Sequence, residues 1–415
     1  MHTRGHFRLV AGCTAALVWT AVLAGCAQIP AQPKPGLADA SAQPSNSAGT
    51  ASPGIRALLA DGLFAAPREA VDTRDLFTAN SDMLHFLRSD LEPLIRAQGK
   101  QRGLYEALQS NRYLKLDYDT AQTRTAAQAF QARSGNCLSL VILTASLGRK
   151  LGLQVSFQQV LNEDSWGLSG DLVVASGHVN VVLGQRNSMS WGDDSQSLVV
   201  DFLPTEAVRG RRARLVSEDV LVAMFENNRA VESMAQGDLD TAYWWARAAV
   251  SHDKPAAAAV NTLGVIYQRR QLPAMAELAY RHALALEPDN LRSLANLAGL
   301  MRTQGRDFEA APLDQRIATL MPQQPFHHFR LGLAAAQRHD WLRARDELNR
   351  ELERDPTFQD AQAWLAQVYL ELGDLPNARS HLALAAKNGS TPGNRAVYAA
   401  KLEHLRAVSQ VAASH

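Results

Sequence analysis

Cysteine, net charge and long apolar runs are what this sequence has least of. Its 415 residues carry three cysteines, and 42 basic side chains against 41 acidic ones leave a formal net charge of +1. So even a balance lacks the basic footprint that nucleic acid requires, and no nucleic-acid partner is expected. Beyond residue 26 nothing reaches the roughly 18 uninterrupted apolar residues of a membrane-spanning helix, so the rest of the chain is expected to lie off the bilayer. Three thiols are also too few for a disulfide framework in a chain of this length. That length allows two or three domains.

Arg4 and Arg8 precede an apolar run, Leu9 to Leu23, which closes in Leu23-Ala24-Gly25-Cys26, the layout of a secretion signal. A cysteine directly after small residues resembles the lipobox of bacterial lipoproteins. The resemblance implies a signal peptide over 1–25, cleavage before Cys26, and lipid on Cys26 that anchors the protein to a membrane. Ala27 in the next position, in place of aspartate, implies the periplasmic face of the outer membrane. Residues 26–55 are rich in Pro, Ala, Ser and Gly and read as a flexible tether, with too little apolar area to offset the entropy of ordering. Cys13 would leave with the signal, so Cys137 becomes the lone free thiol of the mature chain, either buried or used.

The second half is periodic. Pro288, Pro322 and Pro356 recur at an interval of 34 residues, which also links Ala276, Ala310, Ala344 and Ala378, and Leu263, Leu297, Leu331 and Leu365. Such a period means a stack of like supersecondary units. Gly264, Ala298, Gly332 and Ala366 are small enough to let paired helices approach, and Gly305 and Gly373 suit the turns between them. An upstream unit with Gly237, Ala242 and Ala249 keeps the register more loosely. The stretch Asn261 to Pro288 resembles the tetratricopeptide repeat, and about five repeats fill 216–390, with 391–415 as a capping helix and tail. The resemblance implies a groove for a protein or peptide partner. His282, His327, His328, His339 and His381 fall in this half without a repeated metal-ligand spacing, so no metal is assigned.

Residues 56–215 change character part way. Leu84, Leu87, Leu91 and Leu94 recur at helical spacing and predict a helix over Leu84–Leu108, and Leu138–Leu151 predicts a buried helix that ends at Gly152. After it, LQVSFQQVL, GHVNVVLG and SLVVDFLP alternate as strands do. Helices followed by antiparallel strands indicate an α+β domain. Cys137 falls in the first turn of its helix, where unpaired amides and the helix dipole favour a thiolate. Such a nucleophile needs a base, and the base needs an acceptor to orient it. His178 starts one strand and Asp201 ends the next; strands about 4.8 Å apart can bring the two side by side if the register allows. The thiol is expected to be partly exposed in a cleft.

The segment Thr123 to Leu153, with its Arg-x-Gly-x-Cys turn and a helix ending in Arg-x-x-Gly, resembles the cysteine segment of the transglutaminase-like superfamily. The resemblance implies an α+β papain-like/transglutaminase-like domain followed by an all-α tetratricopeptide-repeat superhelix. It makes Cys137 the nucleophile, His178 the base and then the acid, Asp201 the acceptor that orients the imidazole, and the Cys137 amide one oxyanion donor. Val179 and Asn180 stand where many members have an aromatic residue, and no tryptophan lies between Ala27 and Ser165 to act as second oxyanion donor. Trp166 and Trp191 are the remaining candidates, in loops that should border the cleft. Asp193 and Asp194 read as solvated turn residues. No cofactor is called for. The expected function is acyl transfer on amide bonds of protein or peptide substrates, as a peptidase, amidase or transferase. The alternative is an inactive papain-like module that, with the repeats, serves as a scaffold or adaptor in envelope assembly or secretion.

Replacing Cys26 with serine is expected to release the protein from membranes into the soluble fraction. Detergent partitioning of the two forms checks this, and equal retention on the membrane refutes the anchor.

Overall fold

A computed structural model of the chain describes residues 53–413 apart from 111, 121, 170–171, 185–196, 203–211 and 322–325. Cys26, the signal segment, Trp191, Asp193, Asp194 and Pro322 lie outside the described residues. Helix α1 (Pro53–Arg56) opens the described chain, and a short 3-10 turn follows at Asp61–Leu63. Where the periodicity predicts one helix from Leu84 to Leu108, there are three: α2 (Ser81–Arg88), α3 (Glu92–Gln98) and α4 (Lys100–Gln109). Pro93 in the first turn of α3 and Gly99 at φ 81° interrupt the run, so Leu91 and Leu94 stay buried while the chain turns.

Next come β1 (Asp117–Tyr118), α5 (Ala126–Ala132), β2 (Ser134–Gly135) and α6 (Cys137–Lys150). Four longer strands follow, β3 (Val155–Ser169), β4 (Leu172–Gly184), β5 (Ser197–Val200) and β6 (Arg212–Val216). They form one antiparallel sheet in the order β5-β4-β3-β6, while β1 pairs in parallel with β2. Every residue of α6 from Cys137 to Gly148 is buried. A helix apolar on all sides must be enclosed, and α6 packs on β4, β3 and α5.

Among the described residues the remainder is five helical hairpins. In chain order they are α7 (Glu218–Ala235) with α8 (Leu239–Val250), α9 (Ala257–Arg269) with α10 (Pro273–Leu286), and α11 (Leu291–Thr303) with α12 (Asp307–Leu320). The last two are α13 (His327–Gln337) with α14 (Trp341–Arg354), and α15 (Gln359–Glu371) with α16 (Leu375–Asn388). Helix α17 (Pro392–Ala413) follows, its Leu402 packed on Ala366 and Leu382. The small residues have a steric reason: a methyl group at Gly264 would lie 2.5 Å from the Tyr280 ring, and one at Gly332 would lie 2.8 Å from Leu348. Each hairpin turn holds one left-handed residue at the 34-residue interval, Gly237, Gln271, Gly305, His339 and Gly373. Gln271 and His339 adopt φ of 63° and 58° there, a conformation glycine takes at no steric cost.

The repeats are not hung on a linker. Ile55, placed in the tether by composition, is buried, and one hydrophobic core runs from Ile55 through α6 to Ala310. The segment after α1 lies across the first two repeats. Phe64 stacks on Tyr243 with ring centroids 4.0 Å apart and planes within 4°. The Tyr243 hydroxyl donates to Asp61 at 2.6 Å and accepts from the Ala60 amide at 2.9 Å, Arg247 donates to Asp61 at 2.8 Å, and the Tyr267 hydroxyl donates to the Leu58 carbonyl.

Tyr243→Ala removes a fully buried ring together with its hydrogen bonds and is expected to cost about 4 kcal/mol. Phe308 is 94% exposed, and Phe308→Ala is expected to stay within about 0.5 kcal/mol of the parent. Urea unfolding of both variants checks the pair.

Candidate active site

The approach to Cys137 is built by short-range hydrogen bonds. In the β1–β2 pair, the amide of Asp117 donates to the Arg133 carbonyl and that of Asp119 to the Gly135 carbonyl, both at 2.9 Å. Gly135 passes so close to α6 that a Cβ there would lie 2.6 Å from Cβ of Ser139. Asn136 then caps the helix: its Oδ1 accepts from the Ser139 amide at 2.9 Å and from the Ser139 hydroxyl at 2.8 Å. Its Nδ2 donates to the Thr123 hydroxyl at 2.7 Å. Cys137 is therefore held as the first helical residue. Its surface is 7% exposed, where a partly exposed thiol was expected. Burial follows from the enclosure of α6, which leaves no open side at its first turn.

His178 stands in β4, opposite Val160 of β3, and is 3% exposed. The β4–β5 register pairs Val181 with Val200, so Asp201, one residue past β5, falls beside Asn180 and diagonally from His178 on the same face. The imidazole Nε2 lies 2.8 Å and 2.9 Å from the two carboxylate oxygens of Asp201, and Nδ2 of Asn180 donates to the same carboxylate at 3.4 Å. Nδ1 of His178 is buried and makes no hydrogen bond in the resting structure. Burial opposes a charge on this ring, but the hydrogen bonds to Asp201 and the neighbouring Cys137 thiol outweigh it and push the imidazole up to about 9.

One side chain at this site carries no sequence signal. Tyr118 of β1 lies across from Gly135, and its phenol meets both the main-chain amide and the thiol of Cys137. It stands far from Cys137 in sequence, in a two-residue strand without periodicity, and only the parallel β1–β2 pair brings it there. Trp166 is on β3 with its side chain outside the described residues, as is all of Trp191.

The array also reaches this site. Oε1 of Glu232, on α7, accepts from the Thr123 amide at 2.7 Å, and Glu232 is paired with Arg229 at 2.8 Å. At the other end of the array the Thr120 amide donates to the Ser390 carbonyl at 3.1 Å, and Nη1 of Arg395, on α17, donates to the Tyr118 carbonyl at 2.8 Å.

No family model matches the sequence, and no curated protein matches it. Several solved structures are similar in part. PilF of Pseudomonas aeruginosa is 22% identical over 48% of this chain and 90% of its own, with a TM-score of 0.27. TTC0263, a thermophilic TPR protein from Thermus thermophilus, is 20% identical over 43% of this chain and 98% of its own, also at 0.27. YrrB, a TPR protein described as having an unusual peptide-binding site, is 21% identical over 43% and 92%, at 0.24. The likeness is to helical repeats.

Because the folded pKa of His178 is raised, the stability it lends is fully present below the ordinary imidazole value of 6.5 and is lost as pH rises through about 9. An NMR titration of the His178 ring is expected to show its midpoint near 9. In Asp201→Asn the midpoint should fall by about 1–3 units, the range for losing an opposite charge in contact. An unchanged midpoint would refute the coupling.

Proposed function

We propose that the protein is a cysteine-dependent acyl-transfer enzyme acting on amide bonds of protein or peptide substrates, with Cys137 as nucleophile in a transglutaminase-like domain. The observation that carries this reading is the state of His178. Asp201 occupies Nε2 from both of its oxygens, and the remaining nitrogen is buried, without a hydrogen-bond partner, on a ring that interacts with the Cys137 thiol. A buried polar atom left unpaired costs free energy; a ring so placed is suited to take the thiol proton. With Nε2–H held by Asp201, the lone pair lies on Nδ1, which accepts that proton.

Sγ then adds to the amide carbon and the π pair moves to the carbonyl oxygen. As the tetrahedral adduct collapses, the C–N bond breaks, Nδ1–H gives its proton to the departing amine, and an acyl thioester remains on Cys137. A second nucleophile, water or an amine, loses its proton to Nδ1 as it adds to the thioester carbon; the C–S bond then breaks, the acyl group leaves on the new nucleophile, and the Cys137 thiolate is restored beside the imidazolium. The raised imidazole value favours the thiolate–imidazolium pair that proton transfer from Cys137 produces, so the proton is in place on Nδ1 for the acid step through neutral pH. The proposal includes a lipid anchor at Cys26 on the periplasmic side of the outer membrane and a protein or peptide partner held by the repeats.

A second reading is favoured by two observations: Cys137 is 7% exposed, and one core joins its domain to the array. In it the domain is an inactive module and the whole protein a scaffold for envelope assembly or secretion. Alkylation separates the two. Iodoacetamide at a pH of about 6, below the reference thiol value, is expected to label Cys137 of the native protein at least about tenfold faster than Cys137 of His178→Ala, with Asp201→Asn between them. Mass spectrometry of the Cys137 peptide reads the rates. Labelling only on unfolding, or equally in all three, establishes the scaffold reading instead.

A further inference from the structure

An acyl-transfer site needs two donors for the oxyanion, and the resemblance that points to Cys137 leaves the second one unfilled. Tyr118 is the side chain in place to fill it. The parallel β1–β2 pair sets Tyr118 opposite Gly135, two residues before the nucleophile. There the phenol lies against both the main-chain amide and the thiol of Cys137. The oxyanion would form between these same two groups, since it is bonded to the carbon that Sγ attacks. Tyr118 is also fixed from outside its own domain. Arg395 donates from one guanidinium nitrogen to the Tyr118 carbonyl and to the Gly389 carbonyl, each at 2.8 Å. The Ser390 carbonyl between them accepts from the amide of Thr120 at 3.1 Å and from its hydroxyl at 3.4 Å.

We propose that Tyr118 is the second oxyanion donor of the Cys137 site and that the end of the repeat array holds it there through Arg395. This rests on the acyl-transfer reading. When Sγ adds to the substrate carbonyl, the developing O⁻ accepts from the Cys137 amide and from the Tyr118 hydroxyl, which turns from the thiol it meets in the resting site. No proton leaves Tyr118 in the step; the proton for the amine comes from His178. Burial first, and the neighbouring charge of Cys137 second, push the phenol upward from its ordinary value, so it remains a donor wherever the His178 imidazolium exists. Tyr118 is a catalytic residue in this scheme and Arg395 a positioning residue. An array that is anchored at both ends to the 118–123 segment thereby becomes part of the active site.

Two reagents separate oxyanion stabilisation from thiol activation. Iodoacetamide alkylates through attack at a saturated carbon and forms no oxyanion, whereas acylation by p-nitrophenyl acetate passes through one and is read as a burst of p-nitrophenolate. In Tyr118→Phe the burst rate is expected to fall on the order of 10²-fold, the usual cost of one oxyanion donor, while alkylation stays within about threefold and the melting temperature is retained. Arg395→Met is expected to lower the burst rate by a smaller factor, about tenfold, through misplacement of the phenol, again without slowing alkylation. A burst rate unchanged in Tyr118→Phe, or one that moves in step with alkylation in either direction, overturns the assignment. A native protein that gives neither a burst nor rapid alkylation overturns the acyl-transfer reading itself, and this proposal with it.

Discussion

The enclosure of α6 is the constraint on which the rest of the structure depends. A fourteen-residue helix buried from its first residue to Gly148 has no solvent face, so protein must cover every side of it. The sheet covers one side through β4 and β3, and α5 covers another. The first helix of the array also packs on α6. The same need to bury apolar area draws Ile55, Leu58 and Phe64 onto Tyr243 and Tyr267, and the two halves of the chain share a single core. Cys137 is therefore positioned by the packing of the whole molecule.

Within that core, charge is stabilised by contact. Burial works against an imidazolium at His178, and its two hydrogen bonds to Asp201 reverse the balance. A comparable arrangement occurs at His252, whose hydrogen bonds to Glu226 and Asp219 outweigh burial and push the ring up to about 9. There both ring nitrogens are engaged. His178 differs in having one nitrogen left over. That difference in hydrogen-bond inventory, more than the pKa, separates a group available for proton transfer from one that only braces the fold.

Much of this was legible in the residues. The 34-residue interval showed the hairpins because each repeat must bury the same face in the same way, and Gly264 and Gly332 stand where a methyl group would strike a facing side chain. The helix after Asn136 was legible from its apolar run. The Leu84–Leu108 segment was misread as one helix because leucines at helical spacing continue through Pro93 and Gly99, and the turn residues, not the leucines, decide where a helix stops. Gln271 and His339 escaped notice at the hairpin turns because neither is the glycine that a left-handed position favours.

What the sequence determined by itself is local: where helices begin and end, the period of the array, and the chain order Cys137, His178, Asp201. These depend on side chains a few residues apart and on backbone preferences that act without the rest of the molecule. Tertiary structure alone decided the pairing of Val181 with Val200, which sets Asp201 within reach of His178. It also decided the burial of the thiol, the approach of Tyr118 to Cys137, and the meeting of Glu232 and Ser390 with the short segment Thr120–Thr123. Strand register and long-range contacts follow from burying whole surfaces together, and residues more than a hundred positions apart carry no mark of one another until those surfaces close.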